Sequence, residues 1–144
     1  MEKISEYINN ESVLTFILRM ILGILFFFQG FDKVFKIKLN EVIKTFQVEL
    51  GAIKVPNWIM FPLAYYTSYI ELIGGILLII GLFKTSALYL LGIDLIIVSG
   101  AFSMIKPMWD MQLLFPRLIL LSALLYLPAS WDILSLDHIL MVNK

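Results

Sequence analysis

Apolar residues fill four long stretches of this chain, and polar residues gather between them. The stretches cover about residues 13–31, 61–83, 86–105 and 113–127. Crossing a bilayer takes about 20 mostly apolar residues, so each reads as a transmembrane helix, the last of them short. Between the first two, Leu39, Val42, Ile43, Phe46 and Leu50 recur at helical spacing. Asn40, Glu41, Lys44, Gln47 and Glu49 lie among them. That alternation predicts an amphipathic helix over 39–50, lying on the membrane surface or capping the bundle. Gly51 is expected to end it, and Pro56 to keep the chain extended before the second span. Lys84-Thr85 leaves room only for a tight helical hairpin between spans two and three. The predicted fold is all-α: one domain over residues 1–144, an integral membrane four-helix bundle with an interfacial helix between its first two spans.

Each span carries one ionisable residue: Arg19, Glu71, Asp94 and Arg117. A lone charge near the middle of a membrane costs about 2.5–3.5 kcal/mol on insertion scales, so such residues face a bundle interior and pair. Two acids and two bases can cancel. In span one, Arg19, Gly23, Phe26, Gly30 and Lys33 share a face, and the glycines allow another backbone to come close. In span two, Ala64, Thr67, Ser68, Glu71, Gly74 and Gly75 form a matching small and polar stripe. The two stripes predict packing of helices one and two, with Arg19 within reach of Glu71 and with Asp94 or Arg117 linked to the pair. Lys33 stands at the end of span one. Tyr69, in the first half of span two, is able to turn toward a pocket. This network reads either as an assembly device or as the lining of a ligand or proton site.

Composition narrows the field. The chain is 60% hydrophobic and 15% charged, with a mean hydropathy of +0.92, far from a soluble domain. Its net charge of zero gives no reason to expect nucleic acid. It has no cysteine, which removes disulfides, thiol catalysis, Fe–S clusters and thiolate zinc. Its one histidine, His138, cannot supply two axial haem ligands, and no metal site is expected. Residues 1–12 are polar and acidic where a signal peptide is basic, so the first apolar run is expected to remain as a span. Trp58, Trp109 and Trp131 fall just outside spans, as headgroup anchors do. Lys3, Lys84 and Lys144 share the side of the termini. Lys33, Lys36, Lys38, Lys44, Lys54 and Lys106 lie on the other side. The excess of lysine favours the long loop in the cytoplasm and the termini outside.

The ordered set of motifs resembles the DoxX family. Arg19-x3-Gly23-x6-Gly30-x2-Lys33 looks like its opening signature, and Glu71-x2-Gly74-Gly75-x5-Gly81 like the second-helix pattern after Pro56. Ser135-Leu136-Asp137 is similar to the closing Ser-Leu-Asp of many members. Two positions depart from the pattern. Gln29 stands where many members have His, and Ala129-Ser130-Trp131-Asp132 replaces a glycine-rich stretch. The resemblance implies a small inner-membrane protein. Some relatives are subunits of a thiosulfate:quinone oxidoreductase, and others associate with redox or detoxifying enzymes.

Three functions are expected from these readings. The first is a membrane subunit that binds a quinone or similar amphiphile near Arg19, Glu71 or Tyr69 while a partner oxidoreductase supplies the redox centre. With no thiol, haem ligand pair or nucleotide fingerprint, the chain has no catalytic residue of its own to assign. The second is a non-enzymatic assembly, chaperone or scaffold protein. The third is a small proton-coupled transporter using Glu71 and Asp94. The lipid bilayer is a partner in all three, and a homo-oligomer is compatible with each.

Overall fold

The computed structural model describes residues 9–49, 56–105 and 111–142. Six α-helices follow in order: α1 Asn10–Phe31, α2 Leu39–Glu49, α3 Asn57–Ile80, α4 Lys84–Ile105, α5 Met111–Tyr126 and α6 Leu136–Val142. No strand occurs among the described residues. Helices α1, α3, α4 and α5 form the bundle, and α2 packs on α3 beside it through Val42, Ile43 and Ala64. Three helical stretches are long and apolar enough to cross a membrane: Asn10–Ile37, Asn57–Ile80 and Lys84–Ala101. The fourth, Leu114–Tyr126, is shorter. The protein is a multi-pass membrane protein built on this bundle.

Local chemistry sets the ends of the elements. The Asn9 side chain accepts from the Ser12 N–H at 2.9 Å and caps the start of α1. Helix α1 does not stop at Phe31. It continues as a π-helical segment, Asp32–Ile37, until Lys38 turns into positive φ at 64°. Helix α3 starts at Asn57 because Pro56 is extended, and it ends because Gly81 takes the left-handed conformation at φ 70°. The segment expected to hold Gly51 and the Trp109 flank lies outside the described residues. Lys3, Lys54, Lys106 and Lys144, used in the orientation argument, lie there too.

The core draws on all four bundle helices. Leu22 and Phe26 of α1 meet Leu78 of α3, Leu88, Leu91 and Leu95 of α4, and Leu121 and Leu124 of α5. Helices α1 and α3 make the closest contact. A Cβ on Gly23 would lie 3.1 Å from the Gly75 carbonyl oxygen, and one on Gly75 would lie 2.7 Å from Phe27 Cα. A Cβ on Gly30 would lie 2.6 Å from Leu72 Cα. Only glycine lets the two backbones approach this far. Gly74 faces the other way and would meet the Leu91 side chain of α4.

Candidate functional site

The antiparallel register of α1 on α3 decides where the charges go. Gly23 lies against Gly75 and Ile79, and Gly30 lies against Leu72. Arg19 therefore faces the C-terminal end of α3, and Lys33 faces its middle. The expected Arg19–Glu71 pair does not form. The end of α3 opposite Arg19 is roughly nine residues, ~14 Å, along the helix from Glu71. Instead the bundle holds two polar centres, one toward each membrane face.

The centre on the side of the termini is closed. Arg19 is 1% exposed. Its Nη1 donates to the Leu78 carbonyl and, at 3.0 Å, to that of Ile79. Its Nη2 donates to the Leu134 carbonyl at 2.8 Å. Leu78 and Ile79 are among the last residues of α3, whose carbonyls have no partner within the helix and carry the negative end of its dipole. Arg19 Nε lies 3.3 Å from Asp132 Oδ1, and Lys84 Nζ lies 3.1 Å from Asp132 Oδ2. Asp137 completes the cluster. Its carboxylate accepts from the N–H groups of Phe83 and Lys84, each at 3.0 Å, and its own N–H donates to the Gly81 carbonyl at 3.0 Å. Ser135 Oγ accepts from the His138 N–H and donates to the Asp132 carbonyl. Ser135-Leu136-Asp137 thus ties the C-terminal segment to the α3–α4 hairpin. A Cβ on Gly81 would crowd Arg19 Nη1 and Ser135 Cβ, each at 2.7 Å, so the turn needs glycine for space as well as for φ. Every charged group here has an ionic or hydrogen-bonded partner, and the arrangement is that of a structural clamp.

The centre toward the loop is open in its hydrogen bonding. Lys33 Nζ lies 2.8 Å from Glu71 Oε1 and 2.7 Å from Oε2. Asp94, on α4, is fully buried, and neither of its carboxylate oxygens has a hydrogen-bond partner. Glu71, Lys33 and Arg117 are the charges that act on it. Arg117 is half-buried, with its guanidinium 5.7 Å from the Phe26 ring centroid. Gln29 lies one turn from both Phe26 and Lys33 on α1, and its Oε1 is buried without a partner. The structure thus brings Lys33, Glu71, Asp94 and Arg117 to one end of the bundle and sends Arg19 to the other.

Tyr69 is not at this centre. It is exposed and stacks on Tyr65, with ring centroids 6.3 Å apart. The tyrosine beside Asp94 is Tyr66, three residues earlier, whose hydroxyl donates to the Leu90 carbonyl at 3.2 Å. Tyr66 also lines an apolar groove of about 660 Å³ between α3 and α4, walled by Trp58, Pro62, Leu63, Leu90 and Ile93. The groove is apolar, and although Asp94 is buried and does not line it, the groove walls at Tyr66, Leu90 and Ile93 lie next to Asp94. Among the described residues no cluster of His, Asp and Glu is suited to a metal ion.

Sequence reasoning missed Asp132, Lys84, Asp137 and Tyr66 as members of these centres. The signal for Lys84 and Asp137 was present. A lysine that opens a helix needs an acid near its N-terminus, and the closing Ser-Leu-Asp supplies one. Asp132 gave no comparable signal, because it follows a span and reads as a surface residue.

No curated protein and no solved structure gives a match to the chain. The DoxX family model matches residues 14–104, from α1 through nearly all of α4, and the chain belongs to the DoxX family.

Proposed function

We propose that this protein is a small inner-membrane subunit that binds a quinone or comparable amphiphile and supports a partner oxidoreductase. The long loop is cytoplasmic and the termini are outside. The observation that carries the reading is Asp94: a carboxylate with no exposure and no hydrogen-bond partner, inside a bundle whose other polar centre is fully paired. Buried polar groups are nearly always satisfied, and an unsatisfied one in a membrane span marks a functional position. The groove beside it has the character an isoprenoid or alkyl tail requires. Its walls are aliphatic and aromatic, and Tyr66 places a hydroxyl at the polar end. The ring of the amphiphile sits at Tyr66 and Asp94, while Lys33–Glu71 and Arg117 set the charge around it. The chain offers no redox group of its own, so electrons come from the partner.

The test is purification in mild detergent, followed by analysis of co-extracted quinone and protein. Wild-type protein is expected to carry quinone and a redox subunit, and Asp94→Leu is expected to fold and lose the quinone. Wild-type protein that neither retains quinone nor binds it when added would overturn the proposal.

A further inference from the structure

The unmet hydrogen bonds at the loop-side centre are all of one kind. Among the described residues, the buried side-chain atoms without a hydrogen-bond partner at that end are Asp94 Oδ1, Asp94 Oδ2, Gln29 Oε1, Glu71 Oε2 and Asp32 Oδ1, the last held in an ion pair by Lys36. Each is an acceptor. Glu71 Oε2 is served by the ion pair with Lys33. That leaves Asp94 and Gln29 short of donors. With the Gln29 amide turned end for end, Asp94 alone still leaves two acceptors open. The donors at this end are placed differently. Arg117 is half-buried with its guanidinium over the Phe26 ring, and Tyr66 already donates to Leu90.

We infer that the loop-side centre selects a head group that donates hydrogen bonds, so that the reduced, dihydroxy form of the amphiphile binds in preference to the oxidised, dicarbonyl form. This inference rests on the amphiphile reading given above. An oxidised quinone brings only acceptor oxygens and leaves Asp94 as unsatisfied as before. A hydroquinone brings two O–H groups, one of which reaches Asp94. Lys33 and Arg117 balance Glu71 and Asp94 when both acids are ionised, and an ionised Asp94 accepts hydrogen bonds and donates none. In the reaction sequence, the subunit then holds the product of a quinone-reducing partner, or the substrate of a quinol-oxidising one.

The experiment uses the full chain in lipid nanodiscs, with quenching of tryptophan fluorescence as the readout, because Trp58 lines the groove. Three probes are titrated anaerobically: a decyl-tailed benzoquinone, its hydroquinone, and the dimethyl ether of that hydroquinone, which has no O–H. A bond to a charged acceptor predicts a Kd for the hydroquinone about tenfold or more below that of the quinone, with the dimethyl ether binding no better than the quinone. Asp94→Asn supplies an amide N–H and is expected to bring the quinone and hydroquinone Kd values to within about threefold of each other. Equal binding of quinone and hydroquinone by the wild type overturns the selectivity and leaves the amphiphile reading standing, and a dimethyl ether that binds as tightly as the hydroquinone does the same. Failure of all three probes to bind overturns the amphiphile reading and the selectivity with it. The ether comparison needs no variant, so a poorly folding Asp94→Asn does not weaken the test.

Discussion

Gly30→Ala adds one methyl group at the tightest point of the bundle. The new Cβ would lie 2.6 Å from Leu72 Cα and 2.8 Å from Leu72 Cβ. Carbon atoms prefer about 3.5–4.0 Å, so the gap must open by about 1 Å. The obstacle is backbone, not a side chain that can rotate away. Helices α1 and α3 must therefore part, and Lys33–Glu71, just beyond this contact, is strained with them. Overpacking of this kind costs about 1–3 kcal/mol, against which alanine returns at most about 1 kcal/mol of helix preference. The net expectation is destabilisation by about 1–2 kcal/mol. Gly100 in α4 is the internal control, since a Cβ there meets nothing within 4 Å. Gly100→Ala should be neutral or stabilising by up to about 1 kcal/mol. Equilibrium unfolding in mixed micelles, followed by near-UV circular dichroism, reads both variants. Gly30→Ala and Gly100→Ala shifting stability in the same direction, or by the same amount, would refute the close α1–α3 packing.

Four further outcomes follow from the two polar centres. Asp132→Asn leaves Arg19 and Lys84 without their shared acid and should cost about 3–5 kcal/mol, seen as a loss of folded yield and of unfolding midpoint. Asp137→Ala removes the side-chain acceptors at the start of α4 and should cost about 1–2 kcal/mol in the same unfolding assay. Lys33→Met strands Glu71 and should destabilise strongly, whereas the reversed pair Lys33→Glu with Glu71→Lys should recover a large part of the loss in a double-mutant cycle. Asp94→Asn breaks no hydrogen bond and should unfold at the same midpoint or higher, so a clear drop would show that Asp94 has a structural role.

Much of this architecture is legible in the chain. The spans are visible because lipid demands long apolar runs, and the α2 face is visible because Leu39, Val42, Ile43, Phe46 and Leu50 recur at helical spacing. The glycines of α1 and α3 announce a close approach. The pairing of charges was not legible, because it depends on axial register, and register is fixed by backbone contacts. Gly23 against Gly75 places Arg19 beside the end of α3 and Lys33 beside Glu71. The matching stripes put Arg19 and Glu71 on facing sides of the two helices without fixing where along the axis they meet. Asp132 was hidden for another reason. It caps the short 3₁₀ turn after α5, Ala129–Trp131, and becomes buried only when that turn folds back over Arg19 and Lys84. Tyr69 and Tyr66 differ by three residues and lie close together on the helix. Only the packing of α4 distinguishes the one that touches Leu90 from the one that faces outward.

The central claim is that the loop-side centre takes a ligand and the centre near the termini does not. Photolabelling with an azido-quinone, followed by mapping of the modified residues, tests it most directly. Labelling is expected on the groove walls of α3 and α4, among Leu63, Tyr66, Leu90 and Ile93, and should be competed away by unlabelled decyl hydroquinone. Label concentrated instead around Lys84, Ser135 and His138, or spread evenly over the lipid-facing helices without competition, would contradict the account.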